Sequence, residues 1–125
     1  MRTVQLVEAI TPRVEERQVD GAVVVSLSGE FDLYAADELA VAFERTSANS
    51  RLVVVDLSEV QFFDSTALGL VLGLRRRLLN IGGRLALVID GREALRVFEI
   101  SGLDRIFSLS RTVDEAVALV SGKDS

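Results

Sequence analysis

The sequence predicts an α/β fold: a single domain with one mixed, mostly parallel sheet, entered through an N-terminal hairpin and covered by about four helices. The hairpin is signalled by Asp20-Gly21, a turn dipeptide set between two strand-like runs, VEERQVD and AVVVSLS. Parallel strands are signalled by the continuous apolar runs at residues 52–55 (LVVV) and 84–89 (RLALVI). Runs without alternation suit strands covered on both faces. Between them lie segments with apolar residues three and four apart, the helical period.

Taken in order, residues 1–12 form an N-terminal arm or an extra strand, with some alternation at Val4, Leu6 and Ile10. Two antiparallel strands follow from Arg13, and Gly29-Glu30-Phe31-Asp32 closes the second. Residues 35–46 place Leu39, Ala42 and Phe43 on one face of a helix. A short loop after the strand at 52–55 leads to Asp64-Ser65-Thr66 and a long apolar helix that Gly82-Gly83 stops. The strand at 84–89 passes to a helix over 91–100, with Leu95 and Phe98, and Val97 as a further candidate, facing inward. Residues 106–109 read as an edge strand. Thr112-Val113-Asp114-Glu115 has the capping-box form that opens a last helix over 113–120. Residues 121–125 are the tail of a domain spanning 13–120.

At 125 residues the chain can bury roughly two thirds of the surface it exposes when unfolded, enough for one core. Apolar residues make up 49% and charged residues 26%, with one proline, which argues against disorder. The absence of His and Cys removes Ser-His-Asp triads, cysteine nucleophiles, disulfides and the usual zinc sites. No enzyme activity and no metal or other cofactor is therefore expected. A net charge of -5 and basic residues scattered except at Arg75-Arg76-Arg77 argue against nucleic acid as a partner. The start lacks a signal-peptide core, and the longest apolar run, residues 67–74, falls far short of the roughly 20 residues a membrane span needs. The expectation is a soluble, cytoplasmic protein with no membrane insertion.

Asp32, Asp56, Asp64 and Asp90 all fall near strand ends that lead to helices, the edge where α/β sheets gather ligands. Such a rim suits magnesium, yet loop aspartates more commonly cap helices and turns, and for Asp56 and Asp90 capping is the stronger expectation. A phosphorelay receiver is a poor match because the only lysine is Lys123 in the tail. A nucleotide site lacks both G-x-x-x-x-G-K-[ST] and G-x-G-x-x-G. Gly69 and Gly73, four apart on one side of the long helix, predict close approach of another element. Arg75 to Arg77 read as a solvated helix end that complements the dipole. Ser65 and Thr66 are the sharpest candidates: one could merely be the N-cap, but two hydroxyls beside Asp64, Phe62 and Phe63 suit a phosphorylation-controlled interface.

At these residues the chain resembles the STAS domain, and within it the bacterial anti-sigma factor antagonists. Residues 56–69, DLSEVQFFDSTALG, follow that family's D-L-S-x-V-x-F-x-D-S-[ST]-[GA]-L-G. Gly29-Glu30-Phe31-Asp32 matches its G-E-[LF]-D turn, and Phe98-Glu99-Ile100-Ser101-Gly102-Leu103 its F-x-x-S-G-L segment, so the likeness runs from about residue 14 to 120. The resemblance implies a STAS-like fold and a protein that, unphosphorylated, binds an anti-sigma factor that is also a serine/threonine kinase, releasing a sigma factor. Phosphorylation would switch it off and a PP2C-type phosphatase would restore it. The acceptor carried over is Thr66, with Ser65 as second choice. The implied partner surface holds Asp32, Phe62, Phe63 and Asp64 together with Ser65, Thr66, Ala67 and Leu68. Where many members carry Ser and Gly, this chain carries Thr66 and Ala67. The alternative is a scaffold STAS protein, stressosome-like or part of a lipid-transport complex, without a phospho-switch. Either way a monomer or weak dimer is expected.

Overall fold

A computed structural model describes residues 10–122. Strands β1 (Arg13–Val19) and β2 (Ala22–Phe31) form the expected hairpin, antiparallel and closed by Val19 against Ala22. Asp20 and Gly21 both hold positive φ, 49° and 86°, as a two-residue turn matched to strand twist requires. A short 3-10 turn (Leu33–Ala35) leads to α1 (Ala36–Asn49), followed by β3 (Leu52–Phe63), α2 (Ser65–Asn80), β4 (Arg84–Val88), α3 (Arg92–Ser101), a second 3-10 turn (Leu103–Arg105), β5 (Ser108–Ser110) and α4 (Val113–Ser121). The sheet order is β1-β2-β3-β4-β5, and every pair after the hairpin is parallel.

That order decides where the helices go. Parallel crossovers are right-handed, so strands added one after another in the same direction send their helices to one face. The larger core cluster lies on that face, where Leu39 and Phe43 of α1 and Val71, Leu74 and Leu78 of α2 meet Val25, Leu27, Val53, Val55 and Leu87. Each such side chain contributes about 1.5–3 kcal/mol when fully removed from water. The opposite face is covered by α4, whose Ala116, Val117 and Val120 pack on Val24, Val54, Ala86 and Val88. Central strands are thus covered on both faces, the condition their unbroken apolar runs imply. Monotonic order also means that the strand order never reverses across the sheet, so the crevice of doubly wound folds does not form.

The structure corrects several expectations. Strand β3 does not stop at Val55 but runs to Phe63, past the end of its pairing with β4 at Asp56 and Val88. β5 begins at Ser108, because Ile106 and Phe107 close the 3-10 turn by donating their N–H groups to the Leu103 carbonyl. Val97 is 61% exposed, and α3 has no buried residue: Leu95 and Phe98 are half-buried, and Phe98 rests edge-on against Phe107 with centroids 6.3 Å apart. α4 extends to Ser121. Thr112 caps it as expected, accepting from the Glu115 N–H, but the Glu115 carboxylate reaches one residue past the cap and accepts from the Arg111 N–H. Of the N-terminal arm, residues 1–9 lie outside the described residues, as do residues 123–125 of the tail; residues 10–12 contain no strand.

Glycines divide by what surrounds them. Gly29 has φ +92°, and a Cβ there would collide with the Thr11 backbone, so the chain entering β1 presses directly on β2. Gly69 and Gly73 were expected to mark close approach and do not: a Cβ at Gly69 meets nothing within 4 Å, and one at Gly73 meets only the Arg77 side chain. Arg75 and Arg77 do more than face solvent. Their Nε groups donate to the Ile106 carbonyl and to Ser47 Oγ, tying α2 to the chain before β5 and to α1.

Opposite outcomes are therefore expected from two alanines. Gly69→Ala, in a helix with open space, should raise unfolding free energy by about 0.5–1 kcal/mol, whereas Gly29→Ala should lower it. Urea unfolding of both variants checks this, and a destabilising Gly69→Ala would mean that a packing constraint exists there after all.

Candidate functional site

The site forms where β2 and β3 leave the rest of the sheet. Beyond Asp56, β3 pairs only with β2, through Glu30 with Phe62 and Phe31 with Phe63, so the two strands run on as a ribbon. Two register shifts, between Ser26 and Ser28 and between Gly29 and Glu30, put extra residues into β3. Asp56 supports the first by accepting a hydrogen bond from the Ser58 N–H at 3.0 Å, which makes it a bulge-stabilising residue. At the ribbon's end Phe31 is buried and stacks obliquely on half-buried Phe63, centroids 6.3 Å apart. The Asp64 N–H donates to the Phe31 carbonyl at 3.1 Å. Asp32 and Asp64 are thereby fixed side by side, each one residue past a paired strand end.

Both carboxylates cap. Asp32 accepts from the Tyr34 N–H at 2.9 Å and opens the first 3-10 turn. Asp64 accepts from the Ala67 N–H at 2.9 Å and is the N-cap of α2. The cap position that Ser65 or Thr66 might have filled is taken by Asp64. Ser65 and Thr66 are both exposed, and neither hydroxyl makes a hydrogen bond among the described residues. An unengaged hydroxyl in the first turn of a helix is available for modification, and the positive end of the helix dipole favours added negative charge there.

Around these hydroxyls the residues divide. Phe62 is 50% exposed, and Leu68 is half-buried against the core. Ala67 is only 1% exposed, so its methyl serves the core beneath the site and is not a contact surface. Two large apolar side chains that the sequence did not single out stand exposed beside Asp32: Leu33 and Tyr34, the latter 93% exposed, on the turn that Asp32 caps. A signal existed, since two large apolar side chains directly follow the G-E-F-D turn. Asp90 is exposed and does not cap α3, whose N-cap is Gly91 and which has no side-chain cap.

The overhanging part of β3 and the α3 helix form the walls of an open groove of about 570 Å³, floored by Leu57, Val60, Phe63, Leu68 and Phe98 and rimmed by Asp64, Asp90 and Glu93. Among the described residues no cluster of three or more His, Cys, Asp or Glu is placed to hold a metal ion. No helix among them is long and apolar enough to cross a membrane.

Comparison with known proteins places this geometry. The family model for the STAS domain matches residues 13–116. The anti-sigma-B factor antagonist of Listeria monocytogenes is 31% identical over 107 residues, covering 85% of this chain and 93% of that protein. Among solved structures, an anti-sigma factor antagonist from Mycobacterium paratuberculosis superposes with a TM-score of 0.80 at 31% identity, covering 89% of this chain and 95% of that one. SpoIIAA, an anti-sigma factor antagonist solved in its unphosphorylated form, gives 0.72 at 27% identity over 88% and 97% of the two chains. The phosphorylated form of Bacillus SpoIIAA gives 0.66, again at 27% identity, over 88% and 99%.

Capping assigned in this way separates the roles of three adjacent residues. Asp64→Ala should cost about 1 kcal/mol of stability, while Asp64→Asn should keep most of it. Ser65→Ala and Thr66→Ala should each change stability by less than about 0.5 kcal/mol. Thermal or urea unfolding of the four variants decides, and a large loss in either hydroxyl variant would return the cap to that residue.

Proposed function

Because the chain belongs to the STAS domain family, we propose that it acts as an anti-sigma factor antagonist whose hold on its partner is governed by phosphorylation of Thr66. The partner is an anti-sigma factor that is also a serine/threonine kinase, and a PP2C-type phosphatase reverses the modification. The observation that carries this reading is the division of labour at the α2 N-terminus: Asp64 caps the helix, and both hydroxyls beside it remain exposed and unbonded. Relatives that are named anti-sigma factor antagonists, one of them known in both phosphorylated and unphosphorylated forms, support it.

In the unmodified state the partner meets an exposed apolar face of Phe62, Leu33 and Tyr34, flanked by Asp32 and Asp64. Phe63 and Leu68 back that face from the core side. Phosphorylation of Thr66 adds about -1.5 to -2 charges at pH 7. Repulsion from the nearby carboxylate is the smaller consequence, since two unit charges 4 Å apart interact by only about 1 kcal/mol in water. The larger one is desolvation, which costs several kcal/mol per ion when a partner must close over it. The helix terminus tolerates the phosphate while the complex does not, so the chain stays folded and lets go.

Incubation with the cognate kinase and ATP should add one phosphate to the wild type and none to Thr66→Ala; phosphate found on Ser65 alone would move the acceptor by one residue. Thr66→Ala should hold the partner constitutively, and the modified wild type should bind at least a hundredfold more weakly, the factor about 3 kcal/mol corresponds to. Calorimetry of both forms against the purified partner reads this directly, and equal affinity with and without phosphate would sink the switch.

A further inference from the structure

The two edges of the sheet are not alike. β5 is a three-residue edge, whereas β1 presents seven residues, and among the described residues nothing pairs with its outer side. In a hairpin closed by a two-residue turn the closing pair exchanges both hydrogen bonds, and bonded residues alternate from there. Starting at Val19 and Ala22, the residues Val19, Arg17, Glu15 and Arg13 point their backbone groups at β2. Val14, Glu16 and Gln18 therefore point theirs outward.

We propose that β1 is a homodimer edge, in which two copies of this chain pair antiparallel about a two-fold axis at Glu16 and join their sheets into one. In that register Glu16 pairs with its own copy and Val14 pairs with Gln18, so every outward amide and carbonyl of the strand is used. The intervening positions bring Glu15 of each copy opposite Arg17 of the other. Shifting the axis by two residues spoils the match: centred on Val14 it sets Pro12, which has no N–H, against Glu16, and centred on Gln18 it runs into the turn at Asp20. Charged residues on an edge strand usually protect against pairing. Here their signs are self-complementary, which favours one partner, a second copy in one register.

Two further features fit. Glu16 faces its copy across the axis, and like charges directly opposed destabilise a strand pair. The Thr46 hydroxyl donates to the Glu16 carboxylate and holds it toward α1 of its own protomer. Beside the edge lies an open groove of mixed character, lined by Pro12, Val14 and Val41 together with Asp37, Glu38 and Arg45, and Val41 is among the exposed large apolar side chains. A second copy on the edge would cover it.

Sedimentation equilibrium of the full chain across the micromolar to millimolar range tests this. A monomer–dimer equilibrium is expected, and a chain that stays monomeric throughout overturns the proposal, even if removal of residues 1–9 then allows dimers. Glu15→Arg alone and Arg17→Glu alone, both at exposed positions, should each weaken the dimer by about tenfold. An equimolar mixture of the two should restore it, as should the double exchange in one chain. Gln18→Pro removes an outward N–H without touching the hairpin ladder and should abolish the dimer with the circular dichroism of the fold retained. A dimer indifferent to these variants, or single variants whose mixture does not recover, would place the interface elsewhere.

Discussion

The pairing of β2 with β3 beyond the end of β4 is the constraint on which the rest of the site depends. In the centre of the sheet β3 is held on both sides, but past Asp56 only β2 accompanies it. That ribbon stays in place because its inner side chains, Leu57, Val60 and Phe63, remain packed on the main core cluster, and because the Phe31 carbonyl receives the Asp64 N–H. The consequence is positional. Asp32 and Asp64 are set next to one another, α2 starts at the rim, and the unpaired flank of β3 becomes a groove wall facing α3.

How legible this was in the sequence depends on whether the local period survived. The hairpin, the parallel run, the helices and the cap at Thr112 were all readable, since turn chemistry and apolar spacing agree with the final packing. Residues 57–63 were not readable as strand. Leu57, Val60 and Phe63 face the same core from one strand, yet lie three apart because register shifts insert extra residues between them. A spacing of three erases the alternation that identifies a strand, so the segment reads as loop. Val97 misled for the opposite reason: the helical period marks which residues share a face, and it is silent on whether that face finds a neighbour.

The two glycines of α2 carry a related lesson. A residue that costs helix stability invites the assumption that something packs against it, but the space beside Gly69 is empty. Gly69 lies one helical turn beyond Ser65 and Thr66, so it keeps the surface low next to those two hydroxyls. On the proposed function, helix propensity is given up where a partner needs access, which is how a binding surface departs from the most stable sequence for its fold.

Threonine at the proposed acceptor position sharpens the same point. Inside a helix a threonine hydroxyl can turn back to bond a carbonyl three or four residues earlier, and that is one of the rotamers it divides between. At position 66 those carbonyls belong to Phe62 and Phe63, in the strand before the cap, and no such bond forms. The hydroxyl is left without an intrachain competitor, while the extra methyl adds apolar area worth about 0.8 kcal/mol if a partner covers it. On the proposed function, Thr66 adds to the contact when unmodified, and when modified it carries a charge that the contact cannot accommodate. Placing both functions on one residue requires that the helix be capped by a different one, and Asp64 meets that requirement.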